Sequence, residues 1–132
     1  MGNGKLSKFN KLSEQIIGAA IEVHKTLGPG LLESAYEAAL FYELSTIHSH
    51  SVLRQVPVNI NYKGQQLDVG YRIDLLVNDM IILELKTVDK IADIHLAQIL
   101  TYLKLSDKHL GLIINFYVRL LKNGIKRVLH NI

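Results

Sequence analysis

The chain reads as an α/β protein bordering on α+β, a mixed sheet with an antiparallel central hairpin flanked by helices. Three observations lead there. Apolar residues recur at helical spacing in two stretches before His50 and in one after Val88. Between Leu53 and Val88 the pattern changes to period two, rich in β-branched residues. The run "HLGLIINF", 109–116, is apolar almost throughout, as a strand buried on both faces would be.

The first helix is expected over Leu12 to Lys25, "LSEQIIGAAIEVHK", with a stripe of Ile16, Ile17, Ala20, Ile21 and Val23. Ser13 is its expected N-cap, and Gly28 with Pro29 ends it. A second helix is expected over Leu31 to Leu44 and is broken by "STIHSHS". Three antiparallel strands follow at about 52–62, 66–77 and 81–88, punctuated by Lys63-Gly64 and Asn78-Asp79. A third helix spans about Ile91 to Leu105, and "VRLLKNGIKRVLH" suggests a terminal hairpin turning at Asn123-Gly124.

With 132 residues, of which 48% are hydrophobic and 20% charged, one globular domain over 1–132 is expected, with 1–11 as a flexible N-terminal extension. The absence of cysteine excludes disulfides and thiolate metal sites and fits a cytoplasmic setting. No apolar run reaches the roughly 18 to 20 residues of a membrane span, so no membrane partner is expected. A net charge of +3 permits a polyanionic partner without demanding one. The basic ends, "KLSKFNK" and "RLLKNGIKR", are solvated faces or the flanks of a nucleic-acid track, and no aromatic-rich stripe suggests base stacking.

The stretch "YRIDLLVNDMIILELKTV", 71–88, sets Asp74, Glu84 and Lys86 among residues suited to a sheet core. A two-residue turn at Asn78-Asp79 would put carboxylates on both faces. A three-residue loop, Asn78 to Met80, pairs Val77 with Ile81, Leu75 with Leu83 and Ile73 with Leu85, which makes one face wholly apolar. Hydrophobic pattern sets register, so the second alignment is preferred. It opposes Asp74 to Glu84 and Arg72 to Lys86, and like charges directly opposed destabilise a sheet. Diagonal Asp–Lys and Glu–Arg pairing would compensate on an open face. A bound cation would do so in a cleft, since Mg²⁺ takes one or two carboxylates plus waters and substrate oxygens. Leu76, Ile82 and Val88, on the same face, favour the cleft.

Here the residues resemble a family. Asp74, then "ELK" at 84–86, then a helix carrying Gln98, resembles the core of the PD-(D/E)XK nuclease superfamily. Within it, "GLLESAY" at 30–36 resembles the signature of the GxxExxY proteins through Gly30, Glu33 and Tyr36. "YRIDLLV", "ILELKTV", "HLAQILTYLKL" and "GLIINF" are similar to that family's later blocks, in the same order.

The resemblance implies a restriction-endonuclease-like core and a nuclease that hydrolyses phosphodiester bonds with Mg²⁺ or Mn²⁺. It implies Asp74 and Glu84 as metal ligands, Lys86 as the catalytic lysine, Glu33 as a further ligand, direct or through water, and Gln98 as an orienting group. Ile73 stands where the superfamily's pattern has proline. The nucleic acid, DNA or RNA, is left open, and a one-domain nuclease cutting both strands would act as a homodimer. The alternative is a catalytically silent module of the same fold that binds nucleic acid or a protein partner.

Other readings of these residues stand beside that one. Gly30 suits a turn needing unusual φ. Glu33, in a first helical turn, suits the helix dipole. Tyr36 shares its face and is expected to pack with its hydroxyl satisfied, acting behind the site at most. His95, Gln98 and Tyr102 share one helix face, with His95 and Tyr102 as supporting groups. Ile94 and Ala97 would give that helix its apolar edge toward the sheet.

Overall fold

The computed structural model describes residues 2–132, with side chains from residue 4 onward. Helix α1 runs from Gly2 to Leu27, ten residues earlier than its stripe suggests. Phe9 continues the row of Leu12, Ile16, Ala20 and Val23 one further turn back and is buried with them. Its ring meets His109 edge-on at 6.3 Å, and Asn10 accepts a 2.6 Å hydrogen bond from Arg127. The segment expected as a flexible extension is thus helical from Gly2 and docked from Phe9. Helix α2, Glu33–Tyr42, runs on into a π-helical turn at Glu43–Ile47.

The strands are β1 (Val52–Pro57), β2 (Ile60–Tyr62), β3 (Gln65–Leu67), β4 (Arg72–Val77), β5 (Ile81–Lys86), β6 (Leu110–Asn115) and β7 (Ile125–Leu129). Helix α3, Asp93–Ser106, lies between β5 and β6. The main sheet has the order β1-β4-β5-β6-β7. Only β5 and β6 run parallel, joined by the crossover through α3, and all other neighbours are antiparallel. The long strands expected at 52–62 and 66–77 each break in two. Their tips, β2 and β3, form a separate hairpin turned at Lys63-Gly64, both left-handed. That hairpin is exposed almost throughout and holds little to bury, so it leaves the sheet. The C-terminal hairpin also differs from expectation. The partner of β7 is β6, and Leu121–Gly124 is a 3₁₀ turn.

Helices α1 and α2 cover one face of the sheet, burying Leu75, Val77, Leu83, Leu85, Leu112 and Ile114. Helix α3 covers the other, with Ile99, Tyr102 and Leu103 on Leu76, Ile82 and Ile113. The apolar edge expected of Ile94 and Ala97 faces outward, and Ile94 is 71% exposed. Residues 99, 102 and 103 lie one face round and carry the bulk that packs. Among the described residues no helix is long and apolar enough to cross a membrane.

Two glycines show how closely the layers meet. A Cβ on Gly124 would stand 2.4 Å from the Asn115 carbonyl oxygen, whereas nothing lies within 4 Å of one on Gly18, an exposed site inside α1. Gly124→Ala is therefore expected to lower unfolding free energy by about 1–3 kcal/mol through overpacking. Gly18→Ala should raise it by about 0.5–1 kcal/mol through helix propensity. Urea denaturation of the two variants beside wild type checks both signs.

Candidate active site

The loop Asn78 to Met80 sets the register of the central hairpin. Asn78 and Asp79 are both left-handed, a conformation their short polar side chains tolerate, and Met80 donates to Val77 at 2.9 Å. Val77 then pairs with Ile81, Leu76 with Ile82 and Leu75 with Leu83. The ladder stops there. The Glu84 carboxylate accepts from the Asp74 backbone N–H at 3.0 Å, and the Asp74 carboxylate accepts from that of Leu85 at 2.8 Å. Each strand fills the other's ladder position with a side chain. The expected pairs Ile73–Leu85 and Arg72–Lys86 are absent, because carboxylates stand where backbone carbonyls would. Alternation slips at the same point. Ile73 packs in the cluster under α3, opposite the one that holds Leu75 and Leu85.

Glu84 is 5% exposed. Burial first, and then the Asp74 carboxylate, push its carboxyl up to about 8. Burial also raises Asp74, with Glu37 adding to it. Among the described residues no Lys, Arg or His approaches either carboxylate within 4.0 Å. Lys86, half-buried at the end of β5, eases both carboxyls through its charge but pairs with neither. The opposed pair therefore has no direct ion-pair partner among the described residues. The diagonal ion pairs weighed from the sequence do not form, since Arg72 turns to Asp68 at 3.0 Å.

The other expected residues occupy definite places. Glu33 opens α2, is exposed, and accepts from the Thr87 N–H at 3.0 Å. Among the described residues no three His, Asp or Glu side chains gather to hold a metal ion, so Glu33 does not complete a triad with Asp74 and Glu84. One of its oxygens is held by the backbone just past Lys86, and its charge adds to the upward push on Glu84. Tyr36 is fully buried, stacked on Phe116 at 4.3 Å. Its hydroxyl donates to the Gly28 carbonyl and accepts from the Leu31 N–H, closing the turn in which Gly30 has φ +100°. His95 Nδ1 accepts from the Ala92 N–H at 3.0 Å and caps α3. Gln98 is half-buried and donates to the Tyr102 hydroxyl at 3.1 Å. Burial first, then Glu84, raise the Tyr102 phenol, whose ring packs in the cluster of Ile73 and Ile82.

Three residues escaped the sequence reading. Glu37, 8% exposed, takes two hydrogen bonds from the Arg54 guanidinium at 3.1 and 3.2 Å. Gln55, left-handed at φ +52°, gives its amide to Glu37 at 2.5 Å and weakly to Asp74 at 3.4 Å. Such backbone strain collects at functional sites. Glu37 stands one turn beyond Glu33 in an otherwise apolar helix, and that i, i+4 spacing was the available signal. Asn115, 2% exposed, bonds both the N–H and carbonyl of Val88, at 3.1 and 2.7 Å. With the 2.9 Å bond from Phe116 N–H to the Lys86 carbonyl, it extends the pairing of β5 and β6 past Lys86.

A hard divalent cation fits this donor set. Two coupled carboxylates each keep one oxygen clear of the strand exchange, in a buried place short of positive charge. In the metal-free protein the sign of the pH effect follows from the raised carboxyl. Glu84 binds its proton more tightly folded than unfolded, so its contribution is fully present below the unfolded value of 4.5 and is lost as pH rises to about 8. Thermal unfolding in chelator should show wild type losing stability from pH 5 to 9. Glu84→Gln should lose less, being at least as stable as wild type at pH 9. Parallel curves would mean that Glu84 ionises freely.

A family model described as the PD-(D/E)XK nuclease superfamily matches residues 10–128. No curated protein and no solved structure is a match. The chain belongs to the PD-(D/E)XK nuclease superfamily, and its mixed sheet between helical layers is the restriction-endonuclease-like fold.

Proposed function

We propose that the protein is a metal-dependent nuclease that hydrolyses phosphodiester bonds, with Asp74 and Glu84 holding Mg²⁺ or Mn²⁺. The observation that carries this is the exchange of carboxylates for ladder carbonyls, which holds two acids together with no ion-pair partner among the described residues. A divalent ion there would neutralise the pair, polarise the scissile phosphate and lower the pKa of a water. The chain's own groups do the rest. Asp74 and Glu84 are held in place by the N–H groups of Leu85 and Asp74 and need little reorganisation to bind. Lys86 brings an ammonium beside them, where it stabilises negative charge developing on the phosphate. Gln98 acts through Tyr102, orienting its hydroxyl.

Glu33 serves in this reading as a strut that fixes the strand end carrying Lys86, in place of a third ligand. The likeness of Gly30, Glu33 and Tyr36 to the GxxExxY signature is then structural. All three hold the turn before α2 and its junction with β5.

Thermal unfolding with and without Mn²⁺, beside cleavage assays on DNA and RNA, tests the proposal. Mn²⁺ should raise the wild-type melting temperature, because ligand bound only to the native state stabilises it by mass action. Glu84→Gln and Asp74→Asn should lose that rise and all cleavage. Lys86→Met should keep the rise and lose roughly 10²-fold or more in rate, the scale of one removed charge-stabilising donor. If Mn²⁺ stabilises wild type and Glu84→Gln equally, the metal reading fails and a silent binding module takes its place.

A further inference from the structure

We propose that the cavity beside Tyr102 receives one unpaired nucleobase next to the scissile phosphate, so that the protein acts on single-stranded or frayed nucleic acid. This rests on the nuclease reading above and names the form of its substrate. The cavity, of about 290 Å³, is lined by Tyr71, Ile94, Ala97, Gln98, Thr101 and Tyr102.

Its chemistry suits a base. Tyr71 is 40% exposed, with its ring 5.9 Å from that of Tyr102 and tilted 52° to it. An exposed ring of this kind offers a stacking face to any base. Ile94 and Ala97, left without contact to the sheet, supply an apolar wall. The Gln98 amide donates once, to Tyr102, which leaves Oε1 and a second N–H for the edge of a base. Apolar walls with a few directed polar groups are the usual form of a small-ligand site.

Position ties the cavity to the carboxylates. Tyr102 lines it and packs in the cluster that holds Ile73 and Ile82, one residue before Asp74 and two before Glu84. A phosphate at the carboxylates and a base on Tyr71 are then neighbouring parts of one strand. A base within a duplex would first have to leave its stack, at a cost of a few kcal/mol, which a single strand does not bear. The two tyrosines stand 31 positions apart in the chain and meet only once α3 is packed on the sheet.

Fluorescence anisotropy in EDTA, with a labelled single strand of about 12 nucleotides and the duplex of the same sequence, reads this subsite whether or not metal binds. Single strands, DNA or RNA, should bind at least tenfold more tightly than duplex. Tyr71→Ala should lose roughly tenfold in single-strand affinity, the scale of one lost stacking contact. Tyr71→Phe should stay within about twofold of wild type, since only the ring is needed. Ala97→Phe fills the cavity from an exposed helix position and should lose affinity as Tyr71→Ala does. Melting temperatures in EDTA confirm that each variant folds. Equal affinity for single strand and duplex, or an unchanged Tyr71→Ala, overturns the proposal. The Mn²⁺-dependent melting shift, expected intact in Tyr71→Ala, reports separately on the metal reading. Its loss in wild type would remove the nuclease site and leave the base subsite to the anisotropy result.

Discussion

The exchange between Asp74 and Glu84 is the interaction on which the rest of the site depends. A backbone carbonyl is a neutral acceptor fixed by the strand, whereas a carboxylate in the same role brings charge and a second oxygen. Substituting the carboxylates at one step of the β4–β5 ladder ends the backbone pairing there and leaves an acidic notch in the hydrogen-bond pattern. The notch persists because the ladder above it, from Leu75 to Val77, is backed by apolar layers on both faces. Glu84 is held where its charged form is disfavoured, a condition that a bound cation would relieve in the proposed nuclease.

Around the notch, three supports fix groups that a free strand end would scatter. Asn115 and Phe116 tie Lys86 to Val88 onto the end of β6. Glu33 takes the Thr87 N–H from the other side. Arg54 and Gln55 hold Glu37 against the Asp74 side of the site. The second of these supports also joins the signature-like turn to the carboxylates. The stacked Tyr36–Phe116 pair connects that turn to the end of β6.

The lining of the cavity beside α3 follows from which face of the helix is buried. Ile99, Tyr102 and Leu103 take the sheet, and that rotation turns Ile94 and Ala97 outward and Gln98 to the rim. Had Ile94 and Ala97 packed instead, no apolar wall would face Tyr71.

Local pattern determined much of this protein. Helical and alternating periods placed three helices and the central hairpin, and the apolar set around Asn78–Met80 was enough to choose its register, because a one-residue slip would expose the core. The charges at 74, 84 and 86 stood out for the same reason, being costly where apolar residues would pack. Tertiary structure alone decided the rest. No local rule shows that the ladder stops at Asp74, that Glu33 is taken by Thr87, or that Glu37 closes on Arg54 and Gln55. The first turns on side chains that displace backbone acceptors across a hairpin, and the others join separate elements whose contact exists only once helix and sheet are packed together. The meeting of Tyr71 with Tyr102 is of the same kind, since a stacking face built from two elements leaves no stripe in either.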